Sequence, residues 1–185
     1  TIVVVEDLAP CCSFLISIVL IEDGSIFFKS AGDTSLPLMI IRGFPGPAGG
    51  TGGIGGMGWS IPAGVGAKIG RPDKRVISLT GDGGAGMSVA ALSTAISENA
   101  PITVVVANNC GLGMVRDNMK GEAYGVNYPP TNFATIAKGI GCHAIEVTRS
   151  QDMLEALKEA EKMSGPCLID VAIDPAASHH PASDY

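Results

Sequence analysis

Residues 75–86 read RVISLTGDGGAG and residues 102–113 read ITVVVANNCGLG. Each is an apolar, β-branched run of strand length that ends in a polar, glycine-containing turn. Each run, set among helix-like segments, predicts a strand of a parallel sheet covered by helices on both faces. The first strand is expected over Arg75–Thr80 and the second over Ile102–Ala107. The stretch between them, from Met87 to about Glu98, predicts the crossover helix. The alternation continues with a helix near Asn132–Ile140, a strand over His143–Val147, a helix over Gln151–Met163 and a strand over Cys167–Ile173. Ahead of it, Trp59–Ile69 has the look of a helix. The pattern predicts an α/β, doubly wound fold with a mainly parallel sheet and helices on both faces. Such sheets bind ligands at the carboxyl ends of their strands, where the turns 81–86 and 108–113 lie.

Towards the N-terminus the reading thins. Ile2–Val5 predicts a short buried strand, the apolar stretch from Pro10 to about Ile21 fits helix or strand, and residues 22–42 carry no legible pattern. From Gly43 to Gly58 nine of sixteen residues are glycine and two are proline, which predicts a loop without regular structure. A plain linker would not carry Ile54 and Met57 among its glycines and run straight into a helix, so the loop is expected to approach a ligand.

The length of 185 residues suits one compact domain, and a charge of −6 with no long basic run argues against nucleic-acid binding. The five cysteines show no metal-ligand spacing and read as free thiols of a reducing, cytoplasmic compartment. The most apolar run, Phe14–Ile21, is eight residues long, against the ~20 that a membrane-spanning helix needs. No basic segment precedes an apolar run at the N-terminus, so Thr1 reads as the start of a fragment or a processed chain and not of a signal peptide.

The first turn poses a chemical question. Its glycines would let backbone approach a phosphate, and a helix start favours anions, yet Asp82 would repel one. A hard cation between carboxylate and phosphate resolves the conflict, and an oxygen ligand suits magnesium. The turn lacks both the Lys-Ser/Thr ending of a phosphate-binding loop and the spacing of a dinucleotide fingerprint. Asn109 lies 27 residues after Asp82, a distance that one helix and one strand consume, so both turns can meet at one sheet edge. A carboxylate, an amide oxygen, a backbone carbonyl, two diphosphate oxygens and a water would fill octahedral coordination.

Gly81-Asp82-Gly83, followed by a helix, a strand and Asn108-Asn109, resembles the signature of thiamine-diphosphate (ThDP) enzymes. Residues 52–63, from Gly52 to Ala63, and residues 108–116, from Asn108 to Arg116, resemble the acetolactate synthase branch in particular, and the likeness spans roughly residues 52–174. The whole of 1–185 is expected to be one diphosphate-binding domain, with 1–50 poorly matched and 175–185 a C-terminal tail. The resemblance implies that the Asp82 carboxylate, the Asn109 side chain and the Gly111 carbonyl hold Mg²⁺. It implies a cofactor-binding set of Gly55, Gly56, Met57, Gly81, Asp82, Gly83, Gly84, Asn109, Gly111, Leu112, Gly113 and Met114. Of these, the Gly55 carbonyl would accept from the cofactor's 4′-amino group, and Met57 would hold the cofactor bent so that this group meets the reacting carbon; they are the implied catalytic pair. The implied reaction is attack of the cofactor's ylide on a 2-oxo acid, loss of CO₂ and transfer of the acyl carbanion equivalent to a carbonyl compound or a proton.

The family's activating glutamate lies on a separate pyrimidine-binding domain, which this chain lacks, so a partner domain or subunit must supply it. FAD, where required, would be held by a domain outside this chain. Sites of this family lie between chains, which implies a homo- or hetero-oligomer. Asn118 stands where the branch commonly carries a Trp that shapes substrate entry, and Glu6–Cys12 replaces a segment usually rich in Gly, His and Gln. Two other readings stay open: the diphosphate-binding subunit of a split 2-oxo acid decarboxylase of the sulfopyruvate type, and a non-catalytic module of the same fold. Asp82→Ala is expected to abolish Mg²⁺-dependent cofactor binding while sparing the fold, on the reading that a surface-turn carboxylate contributes little to the core.

Overall fold

The structure, a computed structural model, describes residues 57–120 and 122–175, preceded by four short strands: β1 (Ile2–Val3), β2 (Leu20–Ile21), β3 (Ile26–Lys29) and β4 (Gly49–Gly50). Then come α1 (Ser60–Gly70), β5 (Val76–Gly81), α2 (Asp82–Ser88), a 3-10 turn at Val89–Ala91, α3 (Leu92–Ser97) and β6 (Thr103–Asn108). After them follow α4 (Gly113–Asn118), α5 (Phe133–Ile140), β7 (His143–Val147), a 3-10 turn at Ser150–Asp152, α6 (Met153–Glu161) and β8 (Cys167–Ala172). Among the described residues the main sheet runs β4-β3-β5-β6-β8-β7 with every pairing parallel, and β1 pairs with β2 antiparallel in a separate ribbon.

Strand β5 is buried throughout and β6 and β8 along most of their length, and side chains alternate between two cores as the pleat requires. Val76, Val104, Val106 and Leu168 face one core with Ile61 and Val65 of α1, Leu92 and Ala95 of α3, and Phe133 and Ala137 of α5. Ile77, Leu79, Val105, Ile169 and Val171 face the other with Met153, Ala156 and Ala160 of α6. Helices therefore cover both faces, and the doubly wound α/β reading holds. Each fully buried Val, Leu or Ile contributes about 1.5–3 kcal/mol. Helix α5 has its ends written in the sequence: the Asn132 side chain accepts from Thr135 N at 2.6 Å, and Gly141 closes the helix at φ 105°. Among the described residues no helix is long and apolar enough to cross a membrane.

Four elements differ from expectation. The crossover helix starts at Asp82 instead of Met87, and the 3-10 turn splits it. Glycine disfavours helix by about 1 kcal/mol, which is why the sequence points to a turn here; a Cβ on Gly83 would lie 2.7 Å from Leu112 Cδ2, so that side chain would have to shift to admit one. Strand β3 arises in the stretch without a legible pattern and pairs with β5 from Ile26↔Val76 to Lys29↔Leu79. Strand β4 falls inside the glycine stretch, since edge pairing with β3 needs only backbone groups. Finally, α4 was not foreseen, its six residues beginning at a glycine.

One contact fixes how α1 lies on β5. Ser78 Oγ donates to Ser60 O at 3.1 Å, and Gly64 is buried directly against that hydroxyl, where a Cβ would collide with Ser78 Oγ. Gly64→Ala must push Ser78 off Ser60 or lift the helix. We expect a net loss of about 1–2 kcal/mol, read as a lower urea midpoint at unchanged slope. An unchanged or higher midpoint would show that the helix has room to shift.

Candidate active site

Parallel register brings two turns level. Thr80 pairs with Val106 and Gly81 with Ala107, so β5 and β6 release their following residues at one edge of the sheet. Gly81 is extended (φ −77°, ψ 168°) and Asp82 is the first residue of α2. The Asp82 carboxylate accepts from Gly83 N through Oδ1 at 2.7 Å and from Gly111 N through Oδ2 at 2.8 Å. The second bond joins the turns. Cys110 makes it geometrically available by adopting a left-handed conformation at φ 56°, which is strained for a non-glycine residue and which clusters at functional sites.

Asp82 is only 3% exposed, which corrects the view of it as a surface-turn carboxylate. Burial pushes its carboxyl above the ordinary carboxylate range, opposed by the N–H groups of Gly111, Gly83 and Cys110 and by the positive charge of Arg116. Two accepted bonds leave capacity on both oxygens, which together offer about four lone-pair positions.

The two asparagines divide the work. Asn108 is fully engaged: its Nδ2 donates to Thr131 O at 2.8 Å and to Asp170 Oδ1 at 3.0 Å, and its Oδ1 accepts from Cys110 N at 3.3 Å. Asp170 Oδ2 in turn accepts from Phe133 N at 2.7 Å, tying the turn to the start of α5. Asn109, 6% exposed, is different: its Oδ1 is the one buried side-chain polar atom among the described residues with no hydrogen-bond partner. A buried carbonyl oxygen of this kind calls for a bound ion or water.

A segment from later in the chain closes the site. Leu112 N donates to Val126 O and Tyr128 N to Cys110 O, both at 2.8 Å, around a bridge between Gly111 and Asn127. Arg116 donates to Asn127 Oδ1 at 3.2 Å and to Pro175 O. Over Gly83 stand Leu112 Cδ2, Met57 Cε and the Tyr128 hydroxyl, at 2.7, 2.9 and 3.4 Å from where a Cβ would be. Gly113, first residue of α4, leaves room for the Asn109 amide, whose Nδ2 lies 2.5 Å from a Cβ placed there.

The structure thus brings together Met57, Gly81, Asp82, Gly83, Gly84, Asn109, Gly111, Leu112 and Gly113 of the expected set. Gly55 and Gly56 lie outside the described residues, as do residues 6–19 and 176–185, and of Met114 only the backbone in α4 is described. Sequence reasoning assigned no role to Arg116, Tyr128 or Asp170. For Asp170 a signal existed, a lone carboxylate inside the apolar run CLIDVA; for Tyr128 there was none.

The donor set fits magnesium. Among the described residues no three His, Cys, Asp or Glu side chains cluster, so no zinc-like site competes. One carboxylate, bonded to the turn that carries an orphaned amide oxygen, is the hard, mostly neutral kind of set that Mg²⁺ takes together with substrate phosphates.

Residues 38–171 match the family model described as "Thiamine pyrophosphate enzyme, C-terminal TPP binding domain". The chain belongs to that family. The match begins ahead of Gly52, where the resemblance to ThDP enzymes becomes legible. This TPP-binding domain is 37% identical over 129 residues to the acetolactate synthase large subunit of Corynebacterium glutamicum, covering 63% of this chain and 20% of that protein. It is 31% identical over 123 residues to the pyruvate oxidase of Lactiplantibacillus plantarum, covering 63% of this chain and 20% of that one. A solved structure, the ThDP-dependent 4-hydroxybenzoylformate decarboxylase of Rhodococcus jostii RHA1, superposes with a TM-score of 0.71 at 30% identity, covering 84% of this chain and 31% of that chain. The TPP-binding domain is thus of acetolactate synthase-like type and spans about a fifth of the length of the curated relatives it matches.

Proposed function

We propose that this chain holds the diphosphate of ThDP through Mg²⁺ and is the diphosphate-binding part of a 2-oxo acid decarboxylase or carboligase of acetolactate synthase type. The observation that carries the reading is the unpartnered, buried Asn109 Oδ1 on a turn hydrogen-bonded to Asp82. In this reading Asp82, Asn109 Oδ1 and the Gly111 carbonyl ligate the ion. The carbonyls on either side of Gly111 are already engaged, that of Cys110 by Tyr128 N and that of Leu112 by Arg116 N. Gly83 and Gly84 face the diphosphate, Met57 and Leu112 give the cofactor an apolar support, and Gly113 keeps space for the Asn109 amide. Gly55, Gly56, Gly81 and Met114 complete the set by resemblance to the family. When bound, ThDP supplies the nucleophilic carbon and the electron sink for decarboxylating a 2-oxo acid. The chain's own residues fix the position of the diphosphate and keep bulk water from the buried carboxylate.

A pyrimidine-binding domain, from the same longer chain or from a partner subunit, supplies the activating glutamate. The working unit is an oligomer in the cytoplasm, all of 1–185 belongs to the diphosphate-binding domain, and any FAD sits on a domain outside this chain. The relatives carry the matched part as 19–23% of their length, which favours a synthase-type parent over a split decarboxylase. The test is calorimetric titration of ThDP into the chain mixed with a pyrimidine-binding domain, with Mg²⁺ and with a chelator. Binding is expected only with the metal. Metal-independent binding, or none under either condition, counts against the proposal.

A further inference from the structure

We propose that Tyr128 is an additional cofactor-binding residue, its phenol O–H donating to the diphosphate where the two glycine turns meet. This rests on the ThDP reading above and goes beyond it in naming a residue from a separate segment.

Three side chains stand over Gly83, and two of them, Leu112 and Met57, are apolar. The Tyr128 hydroxyl, 3.4 Å from the Cβ position of Gly83, is the only hydrogen-bonding group of the three. Its backbone is anchored to the other turn, since Tyr128 N donates to Cys110 O at 2.8 Å and the adjacent Asn127 bridges Gly111. Tyr128 therefore starts on the β6 turn and ends at the β5 turn, spanning the edge at which Asp82 and Asn109 emerge. The hydroxyl bonds to no described residue, and the Asp82 oxygens nearby are held by Gly83 and Gly111 instead. The orphaned Asn109 Oδ1 on the same turn points independently to a ligand in this place. Burial, and then the negative charge of Asp82, push the phenol above its ordinary range, which leaves it a protonated donor. A neutral donor beside a carboxylate, facing a place for an anion, is the chemistry that recognises a diphosphate oxygen.

The experiment is Tyr128→Phe in the full chain with its pyrimidine-binding partner domain, titrated calorimetrically with ThDP and separately with inorganic pyrophosphate, both in Mg²⁺. Phenylalanine keeps the ring, so the ligand-free thermal midpoint is expected to stay within a few degrees of the parent's. The dissociation constant is expected to rise about tenfold for both probes. Parent-like affinity in the variant would overturn the proposal and leave the ThDP reading standing. A rise for ThDP with none for pyrophosphate would take the contact off the diphosphate and overturn it equally. If the parent binds neither probe in Mg²⁺, the ThDP reading fails and this assignment falls with it.

Discussion

Replacing Asp82 with alanine is expected to raise the ThDP dissociation constant in Mg²⁺ by more than about a hundredfold, since groups that merely orient a metal's ligands already contribute ~10–100-fold. The structure complicates the simple expectation of an untouched fold. Alanine would leave the buried Gly111 N–H without its acceptor, at about 1–3 kcal/mol, and unpin the turn that carries Asn109. Asp82→Asn is the cleaner variant, because its amide oxygen can still accept from Gly111, giving up only the bond from Gly83, while binding a cation far less well. Its pH behaviour separates the two effects. Burial raises the Asp82 carboxyl above its ordinary value of 3.8, so the fold favours the protonated form. That penalty is absent below pH 3.8, grows as pH rises from 3.8 towards the raised value, and is complete above it. Asparagine carries no such term. Without metal, Asp82→Asn should therefore gain thermal stability relative to the parent as pH rises above 3.8, until the raised value is passed. Mg²⁺ with ThDP should reverse the order by stabilising the parent alone. Equal cofactor affinity in parent and variant would show that Asp82 is not a ligand.

How much of this could be read beforehand depends on where the information lies. Strands β5, β6 and β8 were legible because both their faces are largely buried, which writes a mostly apolar run of strand length into the sequence. The pairing of Asp82 with the Asn109 turn was legible because strands in parallel register deliver their ends to the same edge. Strand β3 was not, since its four residues lie inside residues 22–42 and carry too little pattern by themselves, although β5 needs it as a neighbour. The helical start at Asp82 was hidden because the glycines at 83, 84 and 86 point away from helix by propensity. Nor could the sequence separate Asn108 from Asn109 on local grounds. Their roles part only when Thr131 and Asp170, distant in sequence, occupy the first and leave the second open. Tyr128 is the extreme case, placed over Gly83 by a backbone bridge to Cys110 that no local propensity announces.

Gly113→Ala tests the Asn109 assignment without touching Asn109. A Cβ at residue 113 would lie 2.5 Å from Asn109 Nδ2 and 3.6 Å from its Cγ, closer than real side chains allow at the first of these. The backbone does not resist the change, since Gly113 has no positive φ and opens helix α4, where alanine is favoured over glycine by up to about 1 kcal/mol. The amide must therefore give way, and at 6% exposure it cannot swing into solvent. Moving Nδ2 carries Oδ1 with it, because the two atoms are rigidly joined in one planar group. The expected result is a split: a thermal midpoint within a few degrees of the parent's, with the dissociation constant for ThDP in Mg²⁺ raised about 10- to 100-fold. Activity of the assembled enzyme at subsaturating cofactor should fall in parallel and recover as ThDP and Mg²⁺ are raised. A large loss of stability with unchanged affinity would mean that α4 moved and Asn109 stayed, and that the orphaned oxygen serves something other than the metal.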